Sequence, residues 1–399
     1  MSTGPISLLA ERDFRRLWGA GACGNTVRWL EILAVGVFVF ESTGSAFLVA
    51  LMTMLRALPI LLFGTVMGTL AARLDRKRLF AGSLAVAALI SAGLAGLAWS
   101  GEITLWQIGV GTFLHGVVWS TEHTVRRPML GEIAGIERLG SAMGLDSATS
   151  NATRVVGPLA GGLLFEAIGL DGAYLLSAGL STFGLILALG IMLPRGERRP
   201  RSENVLATLL EGLSYVRSER AILSVLLVTA IVNLFGFPYL SMVAVIGREV
   251  LQISAFPIGV LMASQALGAL FGSLLIAALV RPRHYNRLYL LGSLFFVVSV
   301  EVFAWSGDFS LSNLVLFLGG FGAAGFGSMQ STLILARAST EMRSRAMGTL
   351  TVAIGFGPLG MLHVGLLADW LGAPSALAVM AAEGLTALLL VILYRRRRA

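Results

Sequence analysis

All but four of the chain's 30 lysines and arginines fall in seven short segments: 1–16, 72–79, 125–141, 194–221, 280–288, 336–346 and 395–398. Pairs of long apolar stretches separate these segments. The exceptions are Arg28, Arg56, Arg154 and Arg248. Basic residues collect in the cytoplasmic loops of multi-pass membrane proteins, so this punctuation sets topology as well as class. Both ends and every second loop are expected on the cytoplasmic side, which requires an even number of spans. The loops on the other side are short and acidic, carrying Glu41, Glu102, Glu166, Asp171, Glu249, Asp308 and Asp369, with Arg248 as their basic residue.

Composition removes the main competitors. A chain with 56% hydrophobic and 13% charged residues has too little charge to cover a soluble surface. The net charge of +8 does not point to nucleic acid, because the basic residues are dispersed over loop ends and form no single patch. The one cysteine, Cys23, sits in an apolar stretch, so neither a disulfide framework nor a Cys/His metal spacing is present. No G-x-x-x-x-G-K-[ST] phosphate loop occurs either. No metal, cofactor or ATP-driven step is therefore expected of this chain. The first apolar run lacks a small-residue cleavage site and reads as a span, not as a removable signal.

A bilayer core of about 30 Å needs about 20 apolar residues per helix. Twelve stretches qualify: 17–40, 45–71, 79–99, 104–124, 142–165, 172–193, 222–246, 256–280, 286–305, 311–336, 346–368 and 373–394. The expected fold is an all-α membrane protein of twelve transmembrane helices in two pseudo-symmetric six-helix bundles. The widest polar interval places an N-terminal bundle at 1–193, a cytoplasmic linker at 194–221 and a C-terminal bundle at 222–399. Within the linker, Val205, Leu209, Leu213 and Val216 have helical spacing, which suits a helix along the membrane surface or a short helix in a solvated linker.

The halves repeat. Ser141-Ala-Met-Gly144 recurs as Arg345-Ala-Met-Gly348, and Gly157-Pro-Leu159 as Gly357-Pro-Leu359. Gly162-Leu-Leu-Phe-Glu-Ala-Ile-Gly169 recurs as Gly365-Leu-Leu-Ala-Asp-Trp-Leu-Gly372. Offsets of about 200 residues that shift slightly between blocks are what an old internal duplication leaves. Two parallel six-helix repeats are a layout of secondary transporters, with the substrate site at the repeat interface.

The loop after the second stretch, Gly68-Thr-Leu-Ala-Ala-Arg-Leu-Asp-Arg-Lys-Arg78, resembles the G-x-L-a-D-r-x-g-r-k signature of the major facilitator superfamily. Gly68, Leu70, Ala71, Arg73, Arg76 and Lys77 fit that pattern; Ala72 stands in the place of its acid and Asp75 in that of its second glycine. The resemblance implies a gating role for Gly68, Arg73, Asp75 and Arg76, where a positive-inside anchor alone is the plainer reading. In the fifth stretch, Gly144, Gly157-Pro158 and Gly161-Gly162 resemble the superfamily's antiporter signature, with Thr153 replacing one glycine. That likeness implies proton-driven export and adds Gly157 and Pro158 to the gating set. Close helix packing by glycine and a bend at Pro158 account for the same residues without it.

Phe14-Arg-Arg-Leu-Trp18, Gly24-Asn25, Gly44-Ser45-Ala46, Leu58-Pro59 and Asn151-Ala-Thr-Arg-Val-Val-Gly-Pro158 are similar to the branch of the superfamily that contains the enterobactin exporter and related efflux proteins. The resemblance as a whole implies a non-enzymatic, proton-coupled antiporter. It would export amphiphilic or anionic organic compounds, drug-like or siderophore-like, as a monomer in the inner membrane. Import or lipid flipping on the same fold is one alternative. A membrane sensor or assembly factor that does not transport is another.

Charges inside the spans are the most direct functional signal. A charge at the bilayer centre costs roughly 2.5–3.5 kcal/mol, so Arg28, Glu31, Arg56 and Arg154 are expected to face a wet cavity or one another. Arg28 and Glu31 are three apart on one helical face and able to pair. Glu31 is the first candidate for a coupling proton, with Glu122 and Asp146 nearer the inner end as further candidates. A purely structural network of Arg28, Glu31 and Arg154 is the competing reading. Candidate substrate contacts are Arg28, Arg56 and Arg154 as surplus positive charge, and Asn25 and Asn151 as neutral hydrogen-bonding groups. His115 and Trp119 share one helix face and join them, as do Asn233 and Gln330 in the second half, with Phe235, Phe237, Tyr239 and Met242 as an apolar wall. Glu122, His123, Arg126, Arg127 and Asp146 read as an inner gate or proton exit, or equally as interfacial ion pairs. Glu301 and Glu383 fall on peripheral helices and are given no transport role.

Overall fold

Lipid offers no hydrogen-bond partner to a backbone, so a chain of this hydropathy has to close its amides within helices. The computed structural model describes residues 5–192, 211, 214–339 and 341–396, without the side chains of 5, 6, 64–73, 122, 123, 136, 344, 395 and 396. No strand occurs among the described residues. After a short helix at Pro5–Ala10 come α1 (Arg12–Thr43), α2 (Ala46–Arg73), α3 (Arg76–Trp99) and α4 (Leu105–Thr121). A π turn at Glu122–Arg126 carries α4 into Arg127–Ala134. Then follow α5 (Leu139–Ala167) and α6 (Leu170–Leu189). The second series is α7 (Arg220–Ile231, continuing past a π turn as Tyr239–Glu249), α8 (Ala255–Leu279), α9 (Tyr285–Ala304) and α10 (Phe309–Arg337). It closes with α11 in two pieces, Arg343–Ile354 and Gly357–Leu371, and α12 (Ala373–Arg396).

Ten of these helices are long and apolar enough to cross a bilayer. The two that fall short are α4 and α5, and their residues say why. The apolar part of α4 ends at Thr121, where the polar run Glu122-His-Thr-Val-Arg126 forms the π turn. α5 carries Asp146, Arg154 and Glu166 among serines, threonines and Asn151. Both occupy the places in chain order of the 104–124 and 142–165 stretches. Most helices also overrun their apolar stretch, α1 reaching from Arg12 to Thr43, because hydropathy marks only the part that lies in hydrocarbon.

By packing, the chain divides into two units: Met1–Phe38 with Leu55–Arg201 and Ser254–Gly259, and Val39–Met54 with Ser202–Ile253 and Val260–Ala399. In the first unit, α3 lies along α6. α5 meets α1 through glycine. A methyl on Gly161 would stand 2.7 Å from the carbonyl oxygen of Leu30, and one on Gly157 would stand 2.6 Å from Cβ of Trp29. Gly162 faces the carbonyl of Ala255 in the same unit. Gly144 has open space around it, so this member of the glycine series makes no close approach.

In the second unit, α10 is held between α8 and α9 by its glycine run. Gly320 lies against the backbone of Gln265 and Ala269 on α8, and Gly322 against Gly292 and Phe296 on α9. Arg248, the lone basic residue of the acidic loops, pairs there with Glu41. The end of the expected linker is also packed in this unit: residues 214–218 are helical, Val216 is buried, and the Tyr215 hydroxyl accepts the Ser339 amide at 3.2 Å. Residues 194–210, which include most of the linker, lie outside the described residues. The repeated blocks fall on α5 and α11. Pro158 sits inside an unbroken α5, whereas Gly355 ends the first piece of α11 and Gly357-Pro358 opens the second.

Candidate functional site

A carboxylate with no lipid or water to satisfy it has to collect donors from neighbouring helices. Glu31 on α1 is 1% exposed and does so from three. Arg56 of α2, itself buried, donates from Nη2 to Oε2. Oε1 accepts from Ser91 Oγ of α3 at 3.3 Å and lies 3.5 Å from Nε2 of His115 on α4. Ser91 and His115 are themselves 3.2 Å apart, which closes the ring of contacts. α6 adds a polar face, Tyr174, Ser177 and Ser181, three and four residues apart and all buried. The Tyr174 hydroxyl has no hydrogen-bond partner among the described residues.

Two helices have to come close for this. Gly116 on α4 lies against the carbonyl of Arg56 and the ring of Pro59, so a side chain there would push α4 away from the arginine. Pro59 belongs to the same stretch of α2 and removes a backbone donor. The glycine and the proline together let a long guanidinium reach a carboxylate on a third helix.

Arg28 does not pair with Glu31, contrary to the expectation from their three-residue spacing. Its guanidinium stands 3.6 Å from the ring centre of Trp119 and 5.2 Å from that of Trp29. Arg154 of α5 stands 5.2 Å from the Trp29 ring. Shared helical face gives opportunity, not partnership: Arg56 already occupies the carboxylate, and an indole face attracts the remaining cation. A cavity of about 30 Å³ joins the two clusters, lined by Arg28, Arg56, His115, Trp119, Ser83 and Ser181 among others. That is room for about one water molecule. The arrangement sets a buried carboxylate beside a guanidinium, a hydroxyl, an imidazole and a water-sized space.

The other candidates are placed as follows. Asn25 donates to Gly21 O of its own helix at 3.1 Å, and Asn151 is half-buried on α5. Asp146 accepts from Arg126 at 2.8 Å and lies 3.3 Å from Arg127, so it sits in an ion-pair cluster. Trp18 Nε1 donates to Thr149 at 2.8 Å beside it. The side chains of Glu122, His123 and Arg73 lie outside the described residues, as do the surroundings of Gly68. Asp75 caps α3, its carboxylate accepting the Arg78 amide at 2.9 Å, and Arg76 pairs with Glu132 on the end of the α4 chain.

In the second unit Asn233 donates to Thr229 O at 2.9 Å, and Gln330 is half-buried. Of the apolar wall expected on α7, Tyr239 and Met242 are buried in packed core, while Phe235 and Phe237 are half-buried. Phe237 and Tyr239 lie against Phe296 with ring centres 5.0 and 5.9 Å apart, and Met242 is fully buried. Tyr289 stacks on Phe326 at 5.7 Å, so α7, α9 and α10 share one aromatic cluster that needs no ligand. Glu383 pairs with His363 across α11 and α12 at 2.8 Å, and Glu301 accepts from Trp305 at 2.9 Å.

Four residues of this cluster escaped the sequence reading: Ser91, Tyr174, Ser177 and Ser181. Small hydroxyls in apolar helices carry little signal singly. The 174, 177, 181 spacing on one face of α6 is the pattern that marks the three residues there, and Ser91 on α3 has no such signal.

The family model of transmembrane secretion effectors matches residues 3–399. Macrolide efflux protein A of Streptococcus pyogenes is 21% identical over 371 residues, which is 90% of this chain and 90% of the relative. An uncharacterized MFS-type transporter of Bacillus subtilis is 27% identical over 369 residues, covering 88% of this chain and 85% of that one. Among solved structures, a POT family transporter in complex with 5-aminolevulinic acid superposes with a TM-score of 0.78 at 9% identity, over 97% of this chain and 96% of the other. At that identity the likeness speaks for the fold.

Proposed function

The chain belongs to the transmembrane secretion effector family of the major facilitator superfamily, and on that premise we propose that this multi-pass membrane transporter is a proton-coupled antiporter exporting amphiphilic organic compounds. It works by alternating access of two six-helix halves, as a monomer, with both termini in the cytoplasm. The observation that carries the reading is Glu31, a buried carboxylate bonded to Arg56 beside a water-sized space. The macrolide efflux relative supports the outward direction and the amphiphilic class.

Antiport requires that proton and substrate exclude each other. A substrate that offers a positive charge or a hydrogen-bond donor to ionised Glu31 meets that requirement, because protonation removes its acceptor. An anionic substrate works the other way. It would compete with Glu31 for Arg56 and favour a protonated carboxylate, so it would travel with the proton. Three arginines against one carboxylate, Arg28, Arg56 and Arg154 with Glu31, are the feature that would draw an anion, and the sign of coupling separates the two. In proteoliposomes with an imposed proton gradient, a macrolide probe is expected to move against the proton flow and an organic carboxylate of similar size not to move. Carboxylate movement with the proton supports the anion reading. No gradient-driven movement of either probe leaves a sensor or assembly role.

Topology has its own test. Cysteine at Glu102, in an exposed loop, is expected to react with a membrane-impermeant maleimide in intact cells, and cysteine at 199 is not. Cys23 is buried, so the native background is low. The reverse labelling pattern would invert the whole assignment.

A further inference from the structure

A second cavity of about 500 Å³ opens between α3 and α4 and shares Ser83 and Val118 with the small cavity beside Glu31. Leu74, Leu79, Gly82, Val86, Val117 and Val118 line it, with Asp75 and Arg78 at its mouth. Its two hydroxyls are already used: Thr121 donates to Ser83 at 3.0 Å and Ser83 to Phe80 O at 2.7 Å. What remains is an apolar trough. Leu74 and Val86 are about half exposed along it, so among the described residues the trough is open on one side. From Arg78 to Val86 the trough runs about 12 Å down the helix at 1.5 Å per residue, from the headgroup level into hydrocarbon.

The charges at the mouth are unevenly engaged. Asp75 is turned onto the helix end as its cap, and Arg76 is paired with Glu132. Among the described residues, Lys77 and Arg78 pair with no carboxylate. We propose that this groove holds one acyl chain of an anionic phospholipid, with its phosphate taken by Arg78 and Lys77. An apolar slot in a membrane protein fills with lipid tails in any case, and the basic mouth selects among headgroups.

Purified full-length protein is titrated with dioleoyl phosphatidylglycerol and dioleoyl phosphatidylcholine, which share their tails, and bound lipid is counted by native mass spectrometry. The anionic lipid is expected to bind more tightly. Arg78→Gln should weaken it about fivefold while leaving the zwitterionic lipid unchanged. Gly82→Leu should weaken both, since Gly82 lines the trough and a Cβ there meets nothing within 4 Å, so the added side chain takes up trough space. Should Arg78→Gln not fold, Lys77→Gln reads the same charge. Equal binding of the two lipids by the native protein, or unchanged binding after Gly82→Leu, overturns the proposal. So does displacement of the lipid by a transported compound, which would make the trough a substrate entrance.

Discussion

Glu31→Gln is expected to reduce uphill, proton-driven export to background while downhill exchange of the same compound stays measurable. The substitution keeps the shape of the side chain and an oxygen for Arg56, and removes the group that can gain and lose a proton. Arg56 keeps a hydrogen bond but loses its counter-charge, so a stability cost of up to about 3–5 kcal/mol accompanies the change, and the amount of folded protein in the membrane is measured beside transport. Arg28→Ala is the contrast. Its guanidinium is seated on Trp119 and is not bonded to Glu31, so coupling should survive and only a cation–π contact of about 0.5–2 kcal/mol is lost. Uphill transport by Glu31→Gln at the native rate would place the proton elsewhere, with Glu122 and Asp146 next to be tested.

Much of this architecture is legible in one dimension because the bilayer imposes it. Basic segments and apolar stretch lengths follow from a slab of fixed thickness and a charge bias between its faces, and neither depends on which helix touches which. The site is a different kind of object. Spacing within α1 puts Arg28 and Glu31 on one face, yet the partner of Glu31 comes from α2, and the residues that complete it come from α3 and α4. Such contacts depend on helix order in the plane, which periodicity does not encode. Glu383 shows the same limit: alone on α12 it has no evident reason to exist, and its partner His363 lies on α11. Tyr239 of α7 misleads for a related reason. A ring that fills a core and a ring that lines a cavity look alike in sequence, and only the packing of Tyr239 on Phe296 tells them apart.

Arg56→Met is expected to be among the most destabilising single substitutions in the first unit, lowering stability by about 3–5 kcal/mol, because it leaves the Glu31 charge buried without its partner. The magnitude is read as the fall in thermal or denaturant midpoint of purified protein. A buried ion pair is often worth little against a well-packed apolar pair of similar volume, since desolvation offsets the attraction. The double variant Arg56→Met with Glu31→Leu should therefore regain most of the lost stability. That recovery separates the two roles open to the pair. If Arg56 and Glu31 are there only to join α1 to α2, the double variant is both stable and active. If they carry the coupling proton, it is stable, binds substrate, and fails to transport against a gradient. A double variant no more stable than Arg56→Met alone would mean that Ser91 and His115 hold the apolar replacement open, and that the energetic unit is the whole polar cluster.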